Sequence, residues 1–92
     1  MQTAELVVRN KVGLHARPAA TFVKAAGSFK CNLRVRNLTA QRGPVNAKSI
    51  ISVLTLGVEQ GHTVEIAADG EDEAQAVEAL RRLVDSNFGE AE

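Results

Sequence analysis

Tryptophan and tyrosine are absent from this chain, and its three phenylalanines, Phe22, Phe29 and Phe88, read as core or helix-end residues. The strands therefore lack the aromatic platforms on which nucleic-acid bases stack, and no nucleic acid is expected as a partner. A single cysteine, Cys31, excludes an internal disulfide framework. No stretch approaches the roughly 18 apolar residues of a membrane-spanning helix. Met1-Gln2-Thr3-Ala4-Glu5 lacks the basic and apolar regions of a signal peptide. A cytoplasmic protein without membrane insertion is expected. Cys31, His15 and His62 lack the spacing of metal ligands and have no supporting carboxylate cluster, so neither metal nor cofactor is expected.

What is present is one domain's worth of chain, residues 1–92, enough to bury a modest core without staples. Its zero net charge conceals an asymmetry. Residues 1–48 carry nine of the eleven Lys and Arg and one acid, Glu5, about +8; residues 49–92 carry the other ten acids with Arg81 and Arg82, about −8. A basic half favours an acidic partner or a phosphate.

Periodicity orders the chain. Thr3 to Arg9 alternates as a strand, with Leu6 and Val8 on one face and Glu5, Val7 and Arg9 on the other. Ala19, Phe22, Val23 and Ala26 mark the core stripe of a helix from about Ala16 to Ala26, stopped by Gly27. Ala16, Ala20 and Lys24 lie on another side of it. Cys31 to Arg36 alternates as a second strand, and Pro44 to Asn46 reads as a short edge strand. A short helix follows from about Ala47 to Leu54, where some of Ile50, Ile51 and Leu54 should be core. Thr63 to Ala67 is a strand. A last helix runs from about Glu71 to Asn87, with Val77, Leu80, Val84 and Phe88 along one side and its acids first, as the helix dipole favours. The order β-α-β-β-α-β-α predicts an α+β domain: one sheet with its helices on a single face and Arg34, Arg36 and Glu65 on the other. His62, between Gly61 and Thr63, reads as a solvated loop histidine, and Cys31 as a small buried hydrophobe.

The chemistry concentrates in Gly13-Leu14-His15-Ala16-Arg17-Pro18-Ala19-Ala20. Pro18 suits a first helical turn, where its missing N–H costs nothing. N–H groups there lack intrahelical acceptors and favour an anion. Imidazole is a nucleophile near neutral pH and a good leaving group, so His15 can take up a phosphoryl group and pass it on. Arg17 can add a charge-assisted contact to the same group. On spacing alone, a histidine that merely caps the helix beside a solvated Arg17 competes with this reading.

The whole segment resembles the active-site signature of the HPr family, the histidine-containing phosphocarriers of the bacterial phosphoenolpyruvate-dependent phosphotransferase system. Lys48-Ser49-Ile50-Ile51-Ser52-Val53-Leu54-Thr55-Leu56-Gly57 resembles the family's regulatory-serine region, and Ala68-Asp69-Gly70-Glu71-Asp72-Glu73 the opening of its last helix. The resemblance implies an HPr-like open-faced β-sandwich, a four-stranded antiparallel sheet with three helices on one face. It implies phosphorylation of His15 on Nδ1 by enzyme I, with Arg17 assisting the phosphate, and transfer to a IIA-type component by a stoichiometric carrier that is expected to be a monomer. Ser49 matches the serine modified in some bacteria by HPr kinase/phosphorylase. Ala16, Ala20, Lys24, Ile51 and Leu54 match a partner-docking patch, rimmed here by Lys48 as well. The turn Asn37-Leu38-Thr39-Ala40-Gln41-Arg42-Gly43-Pro44 is longer than in the commonest form and resembles nitrogen-branch (NPr-type) members. A module acting mainly through protein–protein contacts is the alternative.

Overall fold

The computed structural model describes residues 1–89. Strand β1 (Gln2–Val7), helix α1 (Ala16–Gly27), β2 (Asn32–Asn37), β3 (Arg42–Asn46), α2 (Ile50–Leu54), β4 (Thr63–Asp69) and α3 (Glu73–Asp85) follow one another in the expected order. The strands form one antiparallel sheet in the order β1-β4-β2-β3. β1-α1-β2 and β3-α2-β4 are thus two split crossovers, each leaving a gap that a strand of the other fills. Pro44 sits on the edge strand, where its missing donor goes unmissed.

Alternation dictates the two faces of the sheet. Leu6, Leu33, Val35, Val64, Ile66 and Ala68 turn inward and are buried against Phe22 and Ala26 of α1, Val53 of α2 and Ala76, Leu80 and Val84 of α3. Each large apolar side chain so buried contributes roughly 1.5–3 kcal/mol. Arg34 and Arg36 face outward, and Arg36 Nε donates to Glu65 Oε1 across the β2–β4 pair at 2.9 Å. Cys31 is buried, and burial is the main cause of the upward shift of its thiol. Among the described residues, no helix is long and apolar enough to cross a membrane.

Several local expectations change. Helix α1 stops at Gly27 as expected, but Gly27 is its last helical residue and Ser28 is the cap, sending its N–H and Oγ to Ala25 O at 3.2 and 2.7 Å. None of Ile50, Ile51 and Leu54 is core: they are 38, 76 and 41% exposed, and Val53 carries the packing of α2 alone. That helix spans only Ile50–Leu54, because Ala47 and Lys48 form a turn and Ser49 is the N-cap. Phe88 is buried but lies beyond α3, where Asn87 and Phe88 adopt φ of 55° and 60° and swing the ring inward. A stripe drawn at helical spacing cannot register that break.

Asp72 does more than favour a helix dipole. Its two carboxylate oxygens accept the N–H groups of Lys30 and Cys31, each at 2.9 Å, and tie the start of α3 to the entry of β2. These bonds, with Lys30's the largest influence, hold its carboxyl below the usual range.

Candidate functional site

Antiparallel register brings the site together. Val7 at the end of β1 lies opposite Thr63 at the start of β4, and Asn37 at the end of β2 lies opposite Val64. The chain leaving β1 and the chain entering β4 therefore meet at one end of the sheet. Val8 N–H donates to His62 O at 2.9 Å and Gly61 N–H to Val8 O at 2.7 Å, extending the pairing past the strands. Leu14 N–H then reaches Val58 O at 3.0 Å, and Gln60 Nε2 reaches Arg9 O at 3.1 Å.

Within the first of these segments, buried Asn10 donates from Nδ2 to Gly13 O at 2.8 Å, and Gly13 N–H donates to Asn10 O at 3.2 Å. Gly13 has φ of +64°, which a residue without Cβ adopts at little cost. This tight loop delivers His15 to the N-cap position of α1 in extended conformation (φ −129°, ψ 162°). The side chain of His15 makes no capping bond to the helix, which disposes of the cap-only role. Ala16, the first residue of α1, has φ of +51°, a left-handed conformation that costs a residue with Cβ about 1–2 kcal/mol. Pro18 is buried in the first turn, as anticipated.

The imidazole is 37% exposed, and its Nε2 meets Glu59 Oε2 at 3.0 Å. A carboxylate only accepts, so Nε2 is the donor, and Nδ1 is the ring nitrogen that Glu59 leaves alone. The N–H groups of the first turn and the positive end of the helix dipole lie at the same end of α1. Arg17 is exposed on that turn, two residues after His15. The arrangement can attract an anion and present it to a nucleophilic nitrogen.

Glu59 was not among the residues that sequence reasoning singled out. It stands 44 positions from His15, and only the strand register reveals the pairing. His62, expected as a solvated loop residue, is instead half-buried and organises the Glu59 turn. Its Nδ1 accepts Glu59 N–H at 3.2 Å and lies 3.1 Å from Asn37 Nδ2, which also donates to Leu56 O at 3.0 Å.

The other anticipated residues divide into two groups. Ala16, Ala20 and Lys24 are exposed on α1, and Ile51 and Leu54 on α2, which packs beside it. Lys48 is only half exposed, and its Nζ donates to Phe29 O at 2.7 Å, so its ammonium is committed to the fold. Ser49 caps α2, its Oγ accepting Ser52 N–H at 3.3 Å. Among the described residues, no cluster of three or more His, Cys, Asp or Glu could hold a metal ion.

Residues 2–86 match the family described as the PTS HPr component phosphorylation site. The chain is similar to the phosphocarrier protein HPr of Pseudomonas aeruginosa, 40% identical over 93 residues with 100% of both chains covered. It is 41% identical over 83 residues to the multiphosphoryl transfer protein of Haemophilus influenzae, covering 90% of this chain but 17% of that protein. The chain thus spans less than a fifth of the length of that curated relative. Among solved structures, HPr-C-His from Thermoanaerobacter tengcongensis superposes with a TM-score of 0.93 at 43% identity, both chains being covered in full. With the family match, the full-length relatives and the fold in agreement, the chain belongs to the HPr family of the phosphotransferase system.

Proposed function

We propose that residues 1–92 form one cytoplasmic phosphocarrier domain, acting as a monomer, that accepts a phosphoryl group on His15 from phosphoenolpyruvate-charged enzyme I and passes it to a IIA-type component. The observation that carries this reading is the His15 ring at the N-cap of α1, with Nε2 engaged by Glu59 and Nδ1 left to act. Nδ1 attacks phosphorus, the bond from phosphorus to the donor breaks, and the reverse displacement delivers the group to the acceptor. Such a transfer needs positioning and charge stabilisation more than covalent chemistry from the protein. The helix N-terminus and the Arg17 guanidinium provide both for the phosphoryl oxygens.

Partners dock on the apolar surface of Ala16, Ala20, Ile51 and Leu54, with Arg17 and Lys24 as its basic rim. An exposed apolar patch beside positive charge suits transient complexes with acidic partners. Ser49 lies at the edge of this surface, immediately before Ile50 and Ile51. Modification there by HPr kinase/phosphorylase adds about −1.5 to −2 charges and opposes docking of an acidic enzyme I. Residues 38–41 alone separate β2 from β3, because Arg42 to Pro44 belong to β3 and not to the turn as expected. The sequence of Asn37 to Pro44 still resembles nitrogen-branch members and favours a second reading for the downstream step, a nitrogen-branch regulatory carrier. Both readings share the chemistry at His15.

Incubation with enzyme I and phosphoenolpyruvate tests the proposal. The expected product carries one acid-labile phosphoryl group, seen as a mass increase that is absent from His15→Ala. An unchanged mass with a competent enzyme I overturns the carrier reading.

A further inference from the structure

We infer that Glu59 is a positioning residue for His15, fixing the ring as its Nε2–H tautomer and stabilising the positive charge that the imidazole gains on phosphorylation. The inference deepens the proposed phosphocarrier function and rests on it.

Geometry carries the case. Glu59 Oε2 lies 3.0 Å from His15 Nε2, and the two side chains are 61% and 37% exposed. Glu59 does not arrive there by the wandering of a long side chain alone, because its backbone is held on several sides. Glu59 N–H donates to His62 Nδ1, Glu59 O accepts His62 N–H at 3.1 Å, and the preceding Val58 O accepts Leu14 N–H one residue before His15. The turn that presents the carboxylate and the loop that presents the imidazole are thereby one hydrogen-bonded unit.

Its chemical consequence follows from the electron count. A neutral imidazole has one N–H and one lone pair, and a carboxylate at Nε2 assigns the proton to Nε2 and the lone pair to Nδ1. When the Nδ1 lone pair forms its bond to phosphorus, the electron pair of the breaking bond leaves with the donor, a phosphorylated nitrogen on the partner protein. The His15 ring is then an N-phosphoimidazolium that still bears its Nε2–H. The positive charge appears opposite Glu59, which stands to the ring as the carboxylate of a catalytic Asp–His pair stands to its histidine. On delivery the Nδ1–phosphorus bond breaks, its electron pair returns to Nδ1, and the same neutral tautomer is restored. A fixed carboxylate therefore keeps Nδ1 as the attacking nitrogen on uptake and the leaving nitrogen on delivery, and blocks attack through Nε2.

Potassium phosphoramidate, a phosphoryl donor that needs no protein recognition, separates this role from docking. Phosphorylation of the full chain is followed by 31P and 15N NMR in the wild type, Glu59→Gln and Glu59→Ala. The wild type is expected to react at Nδ1. Glu59→Ala should react about fivefold more slowly, the scale set by an exposed ion pair, and should yield a mixture containing the Nε2 isomer. Its ring 15N shifts before reaction should also move towards a tautomer mixture. Glu59→Gln, which keeps an acceptor but no charge, should retain the Nδ1 product while losing rate. A merely structural Glu59 would leave isomer and ring shifts unmoved. Wild-type rate, isomer and ring shifts in Glu59→Ala overturn the inference. If phosphoramidate labels His15 but enzyme I does not, the carrier reading fails and the Glu59 result stands by itself.

Discussion

Gly13 faces the carbonyl of Val58 so closely that a Cβ at Gly13 would lie 2.1 Å from that oxygen. The contact locks the loop before His15 to the turn before Glu59, and the adjoining Leu14 N–H to Val58 O bond closes the same seam. Gly13→Ala meets two costs, a backbone at φ +64° and a steric clash with main chain that cannot move aside. Together they should lower stability by roughly 2–4 kcal/mol, measured by urea denaturation. The same variant should lose the His15–Glu59 contact, seen as a change in the His15 ring 15N shifts.

His62→Ala removes the acceptor for Glu59 N–H and the neighbour of Asn37 Nδ2. A loss of about 1–2 kcal/mol is expected from these bonds, again by urea denaturation. A merely solvated loop histidine would cost nothing on replacement, so an unchanged midpoint contradicts the role given to His62. Because the turn also holds Glu59, the rate of phosphorylation at His15 should fall in parallel.

Asp72 makes stability depend on acid. Its carboxyl is shifted downward, first by the Lys30 N–H bond, with Cys31 adding to it and burial opposing. A folded value below the unfolded one contributes stability that is complete above the unfolded carboxyl's range and is lost as the pH falls through the folded value. Asp72→Asn should therefore be less stable than the wild type at neutral pH, and the two should converge in acid. Glu73 is shifted the same way, first by its bond from the N-terminal ammonium. Part of the acid dependence should therefore survive in the variant. Thermal unfolding across pH 2–7 reads both effects.

Ser49 holds a structural and a proposed regulatory role that two substitutions separate. Ser49→Ala removes the cap on Ser52 N–H and should cost about 1 kcal/mol, with transfer from enzyme I little changed. Ser49→Asp retains a capping oxygen and adds charge beside Ile51 and Leu54. It should unfold near the wild-type midpoint yet accept phosphoryl groups from enzyme I several times more slowly. Equal transfer rates for Ser49→Asp and the wild type would count against the regulatory role.

Much of the fold was legible because its determinants are periodic and local. Alternation in Cys31 to Arg36 and in Thr63 to Ala67 displays the two faces of the sheet. Ala19, Phe22 and Ala26 display the buried side of α1, and Ala16, Ala20 and Lys24 its exposed side. The errors fell where a local pattern was overruled. Ile50, Ile51 and Leu54 are apolar enough for a core, but a helix of five residues offers the sheet little more than Val53. Phe88 fits a helical stripe only until Asn87 leaves helical conformation. Lys48 reads as a surface cation, yet its ammonium is drawn to Phe29 O, a carbonyl 19 positions away.

The sequence on its own is enough to say where His15 sits. Glycine, histidine and proline in that order set a tight loop, an N-cap and a first helical turn, all of them events within a few bonds of His15. Tertiary structure alone decided which ring nitrogen is held and by what. Glu59, His62 and Asn37 reach the site because antiparallel register returns the entry of β4 to the exit of β1 and the end of β2. Hydrogen bonds between segments so distant along the chain leave no spacing to read, since their partners are chosen by strand pairing.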